Sequence, residues 1–123
     1  MEVTILQMRV ELRDGYVAVH ISGPYNRASM ERMYLRAAEE GRNYGCKRVL
    51  IDIRDLLTPI PNWDRYQLGK IVATAWPRDM RFALIAPSQN INKFFETVAV
   101  NRGVQLRTVS TEREALQWLF PNE

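Results

Sequence analysis

The sequence predicts an α/β protein with a five-stranded mixed sheet and four helices. The first strand forms an antiparallel hairpin with the second, and the remaining strands run parallel to one another and alternate with the helices. Two strand-like segments at the start are separated by Asp14-Gly15, a dipeptide that favours a tight hairpin turn. After residue 23, helical patterns alternate with short apolar runs, and strands that are joined through helices run parallel. The 123 residues are 46% hydrophobic and 25% charged, which is typical of a globular chain, and we expect residues 1–123 to form one domain.

The predicted hairpin consists of residues 4–13 and 16–22. The first segment alternates strictly between apolar and polar side chains, as in a strand with one face in solvent. The second segment follows the turn and ends at Gly23-Pro24, which breaks a strand. We expect His20 and the Asp14-Gly15 turn to lie away from any ligand site.

Four helices follow the hairpin, and most of them begin at a residue that favours a helix N-terminus. Asn26 and Asn90 are suitable N-caps, because a side-chain oxygen can accept a hydrogen bond from a free N–H of the first turn. Thr111 and Glu114 form a capping box. The predicted helices span residues 26–44, 61–76, 90–103 and 111–120. The third helix is expected to turn four apolar side chains toward the core: Ile91, Phe94, Phe95 and Val98.

Three further strands are predicted at residues 48–53, 81–86 and 104–109. The first two are nearly unbroken apolar runs, which is typical of strands that are covered on both faces. The last strand alternates in polarity, as the first strand of the hairpin does. We therefore expect the first and last strands to lie nearest the edges of the sheet.

Composition excludes several classes of function. Seventeen Lys and Arg against fourteen Asp and Glu give a net charge of +3, too small and too dispersed to indicate nucleic-acid binding. The single cysteine, Cys46, cannot form an internal disulfide, and no Cys/His cluster suits structural zinc. No apolar run reaches the roughly 18 residues of a membrane span, and the charged start is not typical of a signal peptide. We expect a cytoplasmic protein without a cofactor.

Candidate functional residues come mainly from the carboxyl ends of the strands, where open α/β sheets collect ligands. Asp52 and Asp55 could hold Mg²⁺ or share a proton, although an ion pair with Arg48 or Arg54 is the more economical interpretation. Several other candidates are also ordinary cap and turn residues. The candidate partner or ligand surface consists of Tyr25, Asn26, Leu35, Asp52, Asp55, Thr58, Trp63 and Ser88.

The opening strand–strand–helix, the strand VLIDIRD at 49–55 and the closing EALQWL at 114–119 together resemble the SpoIIAA-like, or STAS-related, bacterial proteins. That resemblance implies a sheet with alternating helices, shared with CRAL-TRIO lipid carriers. It also implies kinship with anti-sigma factor antagonists, which bind a kinase-type partner and are switched by serine phosphorylation. Those antagonists carry an Asp-Ser-Ser-Gly type sequence at the start of the next helix, where this chain has Ile60-Pro61-Asn62-Trp63. The phosphorylatable serine is missing.

Our leading hypothesis is a non-enzymatic binding or regulatory module that contacts a protein partner through its first helix and the loops at the carboxyl ends of the strands. The alternative is a carrier or sensor of a small apolar ligand, held between the second helix and the sheet. That ligand would be lined by Trp63, Tyr66, Trp76 and Phe82. An enzyme that uses the two aspartates is a distant third hypothesis. We also expect a homodimer, formed through an edge strand or a helix face.

Overall fold

The computed structural model describes residues 5–88 and 91–122. Within them, five strands form one sheet in the order β1-β2-β3-β4-β5. The strands are β1 (Gln7–Leu12), β2 (Val17–Gly23), β3 (Arg48–Leu56), β4 (Arg81–Ile85) and β5 (Gln105–Val109). β1 pairs antiparallel with β2, and every later pair is parallel. The predicted α/β class, the mixed sheet and the edge positions of the first and last strands are confirmed. Thr4, the predicted start of β1, lies outside the described residues.

The helices cover the two faces of the sheet unequally. They are α1 (Arg27–Asn43), α2 (Asn62–Ala75), α3 (Phe94–Val100) and α4 (Glu112–Leu119). The first three share a large apolar core with one face of the sheet. α4 packs on the other face, over β4 and β5 and the adjoining part of β3, with a smaller core around Leu50, Ala115 and Leu119. None of the helices in the described residues is long and apolar enough to cross a membrane.

Helix caps follow the side chains that the sequence offers. Asn26 Oδ1 accepts a hydrogen bond from the Ser29 N–H at 3.0 Å, and Thr111 Oγ1 accepts one from the Glu114 N–H at 3.2 Å. The predicted N-caps Asn26 and Thr111 are confirmed. Gly45 has a φ of 68° and ends α1, a backbone conformation that favours glycine.

The start of α3 differs from the prediction. The helix begins at Phe94 after an N-cap at Lys93, and Asn90, the predicted cap, lies outside the described residues. Asn92 Oδ1 accepts a hydrogen bond from the Phe94 N–H at 2.8 Å, a local contact that competes with a helical backbone. Ile91 therefore lies outside the helix and Phe94 on its outer side, with exposures of 37% and 41%, so their predicted place in the core is wrong. Phe95 and Val98 are buried as expected.

α2 and α3 approach each other closely at Gly69. A Cβ atom at this position would lie 2.8 Å from Val98 Cβ and 3.2 Å from the carbonyl oxygen of Phe95. Because neither atom is the end of a flexible side chain, a larger residue would require the two helices to separate. Glycine therefore sets the spacing of this helix pair.

Candidate functional site

A β-bulge in β3 decides which side chains reach the two faces at the carboxyl end of the sheet. His20 pairs with Asp52 and Ser22 with Asp55, so two residues of β3 lie opposite one residue of β2. In a regular strand, residues three apart point to opposite faces. Beyond the bulge the alternation is reversed: Asp55 reaches His20 on the face that carries Asp52, and Leu56 lies on the opposite face.

A cavity of about 140 Å³ lies on the face covered by α1, α2 and α3, at the carboxyl ends of β3 and β4. The strands, the helices and the loop at residues 57–60 all contribute to its walls. The side chains that form its apolar walls include Ile53, Leu56, Leu68, Leu84 and Phe95. The cavity therefore offers an apolar interior at the edge of the sheet where ligands of such folds collect.

Residues with polar side chains in the cavity wall come from α1, α2, β5, the loop at residues 57–60 and the segment before α3. Arg65 Nε donates to the carbonyl oxygen of Ile60 at 2.8 Å, and its Nη1 donates to that of Asn92 at 3.4 Å. Burial lowers the pKa of Arg65 from its ordinary value. Thr108 is 3% exposed, and its Oγ1 has no hydrogen-bond partner among the described residues. The backbone N–H of Thr108 donates to the carboxylate of Glu96.

The opposite face of the sheet is polar where α4 does not cover it. We call this area the polar face: Arg9, Glu11, His20, Asp52 and Arg54. Arg54 holds Asp52 in a bidentate ion pair, with Nη2 at 2.8 Å from Oδ2 and Nε at 3.1 Å from Oδ1. His20 Nε2 lies 2.7 Å from Asp55 Oδ2, so the second aspartate has a different partner.

The two aspartates therefore bond different partners, Asp52 with Arg54 and Asp55 with His20. Burial disfavours the charged form of Asp52, but the side-chain and backbone hydrogen bonds from Arg54 outweigh it, and the pKa of Asp52 is lowered. No group of three or more His, Cys, Asp and Glu side chains that could hold a metal ion occurs in residues 5–88 and 91–122. The arrangement is that of a structural ion pair beside a His–Asp contact.

The structure brings three of the candidate residues together at the ends of β2 and β3. The backbone N–H of Tyr25 donates to Thr58 Oγ1 at 3.0 Å, and the Tyr25 hydroxyl donates to Asp64 Oδ2 at 2.7 Å. Burial, reinforced by the contact with Asp64, raises the pKa of Tyr25. Asn26 lies next in the chain and is exposed. Tyr25 thereby connects the start of α1 to the start of α2.

Three aromatic side chains, of which the two outer ones are exposed and Tyr66 is half-buried, continue this surface along the beginnings of α2 and α3. Trp63 is 64% exposed. Its ring centroid lies 5.7 Å from that of Tyr66, which in turn lies 6.3 Å from that of Phe94. We call these three residues the aromatic ridge. Leu57, in the loop that lines the cavity, is also largely exposed.

The predicted aromatic lining of a ligand site is wrong. Trp76 and Phe82 are buried and stacked, with ring centroids 3.9 Å apart, and the Trp76 indole N–H donates to the carbonyl oxygen of Tyr34 at 2.9 Å. Trp76 caps the C-terminus of α2, thirteen residues after Trp63, and such a span corresponds to about 20 Å along a helix. The two tryptophans therefore cannot line one small site.

Two candidates remain. Leu35 is partly buried on α1, and Ser88 is exposed after β4. Sequence reasoning missed Arg65 and Thr108, although each carries a signal. Arg65 stands three residues before Leu68 and so extends the buried side of α2, and Thr108 follows Leu106 with the period of two that keeps side chains on one face of β5.

No family model and no curated protein matches the chain, but solved structures resemble it. An anti-sigma factor antagonist from Mycobacterium paratuberculosis has a TM-score of 0.63 at 16% identity, and the alignment covers 94% of each chain. An uncharacterised protein of the DUF3478 family from Shewanella loihica, described as having a SpoIIAA-like fold, has a TM-score of 0.55 at 23% identity, with 97% of this chain and 98% of that chain covered. The resemblance seen in the sequence is confirmed at the level of architecture, and the chain has the SpoIIAA-like fold.

Proposed function

We propose that this protein is a non-enzymatic binding or regulatory module that docks a protein partner and lacks the serine phosphorylation switch. The partner is a folded protein of the kinase type that the sequence resemblance implies. The similarity to an anti-sigma factor antagonist supports this class of partner. A cytoplasmic location, and independence from nucleic acids, belong to the same proposal.

The observation that carries the proposal is the exposure of Trp63 on the aromatic ridge. Large apolar side chains that stand together in solvent mark interaction surfaces, and tryptophan is enriched among the residues that dominate binding energy. Leu57 adds a second exposed apolar side chain, 66% exposed, from the loop after β3. The docking surface therefore combines the aromatic ridge with the loops around Tyr25 and Thr58.

The test compares two exposed aromatic residues at opposite ends of the molecule. Tyr44 is 49% exposed at the C-cap of α1, whereas Trp63 lies in the first turn of α2. A partner captured from the native cell is purified, and its affinity for wild type, Trp63→Ala and Tyr44→Ala is measured by calorimetry. We expect Trp63→Ala to weaken binding by about 30-fold or more, as for a binding hot spot, and Tyr44→Ala to change it less than about twofold. Equal affinity of the wild type and Trp63→Ala would contradict the proposed surface.

The second candidate function, a carrier or sensor of a small apolar ligand, is favoured by the cavity. The cavity lies between α2 and the sheet, where the sequence hypothesis placed a ligand, although other residues line it. This function and protein docking use neighbouring surfaces and are compatible.

A further inference from the structure

We propose that the cavity binds a small amphipathic carboxylate, a compound with one carboxylate group and an apolar body about the size of a benzene ring. The inference rests on the second candidate function and specifies its ligand. Three independent features lead to it: the size of the cavity, the bonding of Arg65 and the buried hydroxyl of Thr108.

The volume and walls of the cavity define the apolar part of the ligand. A cavity of about 140 Å³ is close in size to an engineered apolar cavity of about 150 Å³ that binds benzene. Leu56, Leu68, Leu84 and Phe95 supply aliphatic and aromatic contacts from four different elements or their junctions. A long acyl chain exceeds this volume, whereas a ring or a short branched chain fills it.

Arg65 defines the charge of the ligand. A guanidinium has five N–H donors, and the hydrogen bonds of Arg65 use Nε and Nη1 on two backbone carbonyls. Among the described residues no carboxylate forms an ion pair with Arg65. The carboxylate of Glu96 accepts a hydrogen bond from the backbone N–H of Thr108 instead. A partly buried cation without a counter-ion is costly, and a carboxylate matches the planar fork of its donors.

Thr108, on β5, supplies a second polar contact in the cavity wall. Its hydroxyl is buried, lines the cavity and has no partner in residues 5–88 and 91–122. Buried polar groups are nearly always hydrogen-bonded, so an orphan hydroxyl in a cavity indicates a missing acceptor or donor. A ligand oxygen held by Arg65 and Thr108 would satisfy both groups, which a purely apolar ligand cannot do.

The experiment uses two probes of the same size. Benzoate and benzyl alcohol are titrated separately into ¹⁵N-labelled protein, and amide shifts are followed by NMR. We expect saturable shifts for residues 53–58, Ile60, Arg65 and Thr108, and an affinity for benzoate at least about tenfold higher than for benzyl alcohol. Arg65→Met, which keeps the apolar stem, should remove this preference, and Thr108→Val, which is nearly isosteric, should weaken benzoate severalfold.

Arg78→Met is the matched control, because Arg78 also bonds only backbone carbonyls, those of Ala73 and Trp76, but lies outside the cavity. Benzoate binding should be unchanged in it. If Arg65→Met does not fold, Thr108→Val and Arg65→Lys decide the result. Absence of saturable benzoate shifts up to about 10 mM, or equal benzoate affinity in all variants, overturns the proposal. If the protein binds benzyl alcohol but not benzoate, the proposed carboxylate ligand is overturned, whereas the function as a carrier of a small apolar ligand is not.

Discussion

The ion pair between Asp52 and Arg54 links residue chemistry to stability. Asp52 is mostly buried, and the hydrogen bonds from Arg54 hold its pKa below the ordinary value despite that burial. Because the pKa in the folded state lies below that in the unfolded chain, the stabilisation is fully present above the unfolded value of about 3.9 and is lost as the pH falls through the folded value.

We therefore predict that Asp52→Asn reduces the dependence of stability on pH in the acidic range. Urea unfolding at a series of pH values below about 5 should show a flatter decline in the free energy of unfolding than in the wild type. Asp14→Asn, in the exposed hairpin turn, serves as the control and should follow the wild type. Parallel curves for the wild type and Asp52→Asn would contradict the role of the ion pair.

Thr58 is the hydroxyl nearest to the position where the phosphorylated antagonists carry serine. Pro61 is the N-cap of α2 and makes no side-chain capping hydrogen bond, and Asn62 follows it, so the helix opens without a phosphoacceptor. Thr58 precedes Pro59, which favours an extended backbone, and its Oγ1 accepts the Tyr25 N–H. We predict that incubation with ATP and an anti-sigma-type kinase leaves the intact mass unchanged.

Mass spectrometry checks this prediction, with an antagonist that the same kinase phosphorylates as the positive control. A gain of one phosphate mapped to Thr58 would restore the phosphorylation switch. Phosphate at any other hydroxyl would also contradict the predicted unchanged mass.

At the residue scale, short-range contacts are predictable and long-range ones are not. Arg54 lies two residues from Asp52, so their ion pair follows from the sequence. The contact of His20 with Asp55 depends on the bulge in β3, which no local pattern reveals. The expectation that His20 lies away from any ligand site did not include this neighbour and stays a prediction. Which side chains of neighbouring strands contact each other depends on the register of the strands, and the register depends on the whole sheet.

A substitution at Leu50 tests how tightly β3, the middle strand of the sheet, is packed. It lies on β3, is 4% exposed and packs in the smaller core with Ala115 and Leu119 of α4. Leu50→Ala should lower the free energy of unfolding by about 2–5 kcal/mol, because removal of a buried leucine leaves a cavity. Chemical denaturation measures this change, with the largely exposed Leu57→Ala as a control expected within about 0.5 kcal/mol of the wild type. A cost below about 1 kcal/mol for Leu50→Ala would indicate that the residue is not packed in a core.

At the scale of elements, strands and caps were easier to predict than the start of α3. Strong local signals, such as Asn26 and the Thr111–Glu114 capping box, act within one helical turn and are visible in the sequence. Ile91 and Phe94 also fit a helical period, but the Asn92 side chain bonds the Phe94 N–H and the helix begins only at Phe94. Periodicity alone cannot distinguish apolar residues on a buried helix face from exposed apolar residues when a local turn competes with the helix.

Self-association belongs to the scale of the whole molecule. β1 is an edge strand of six residues, and an edge presents backbone groups that can pair with another chain. Arg9 and Glu11 on this strand, and Arg13 directly after it, carry mixed charge that can pair across a two-fold axis. We predict a homodimer formed through an edge strand or a helix face.

Light scattering over a concentration series, at low and high salt, measures the mass. A dimer that weakens in high salt would agree with charge pairing along β1, since salt screens exposed charges. A monomer mass at high micromolar concentration would contradict the prediction.

The close approach at Gly69 has a consequence for how such a molecule could change its selectivity over evolutionary time. Phe95, whose carbonyl lies against Gly69, also forms a wall of the cavity, and Leu68 forms another. A methyl group gained at position 69 would force α3 outward and carry Phe95 with it, together with Glu96 and the adjoining Asn92, which bond Thr108 and Arg65. One codon in a helix–helix contact thus governs the width of the cavity and the placement of its polar groups together. The width of the cavity and its polar contacts are therefore expected to change together in descendants of this chain.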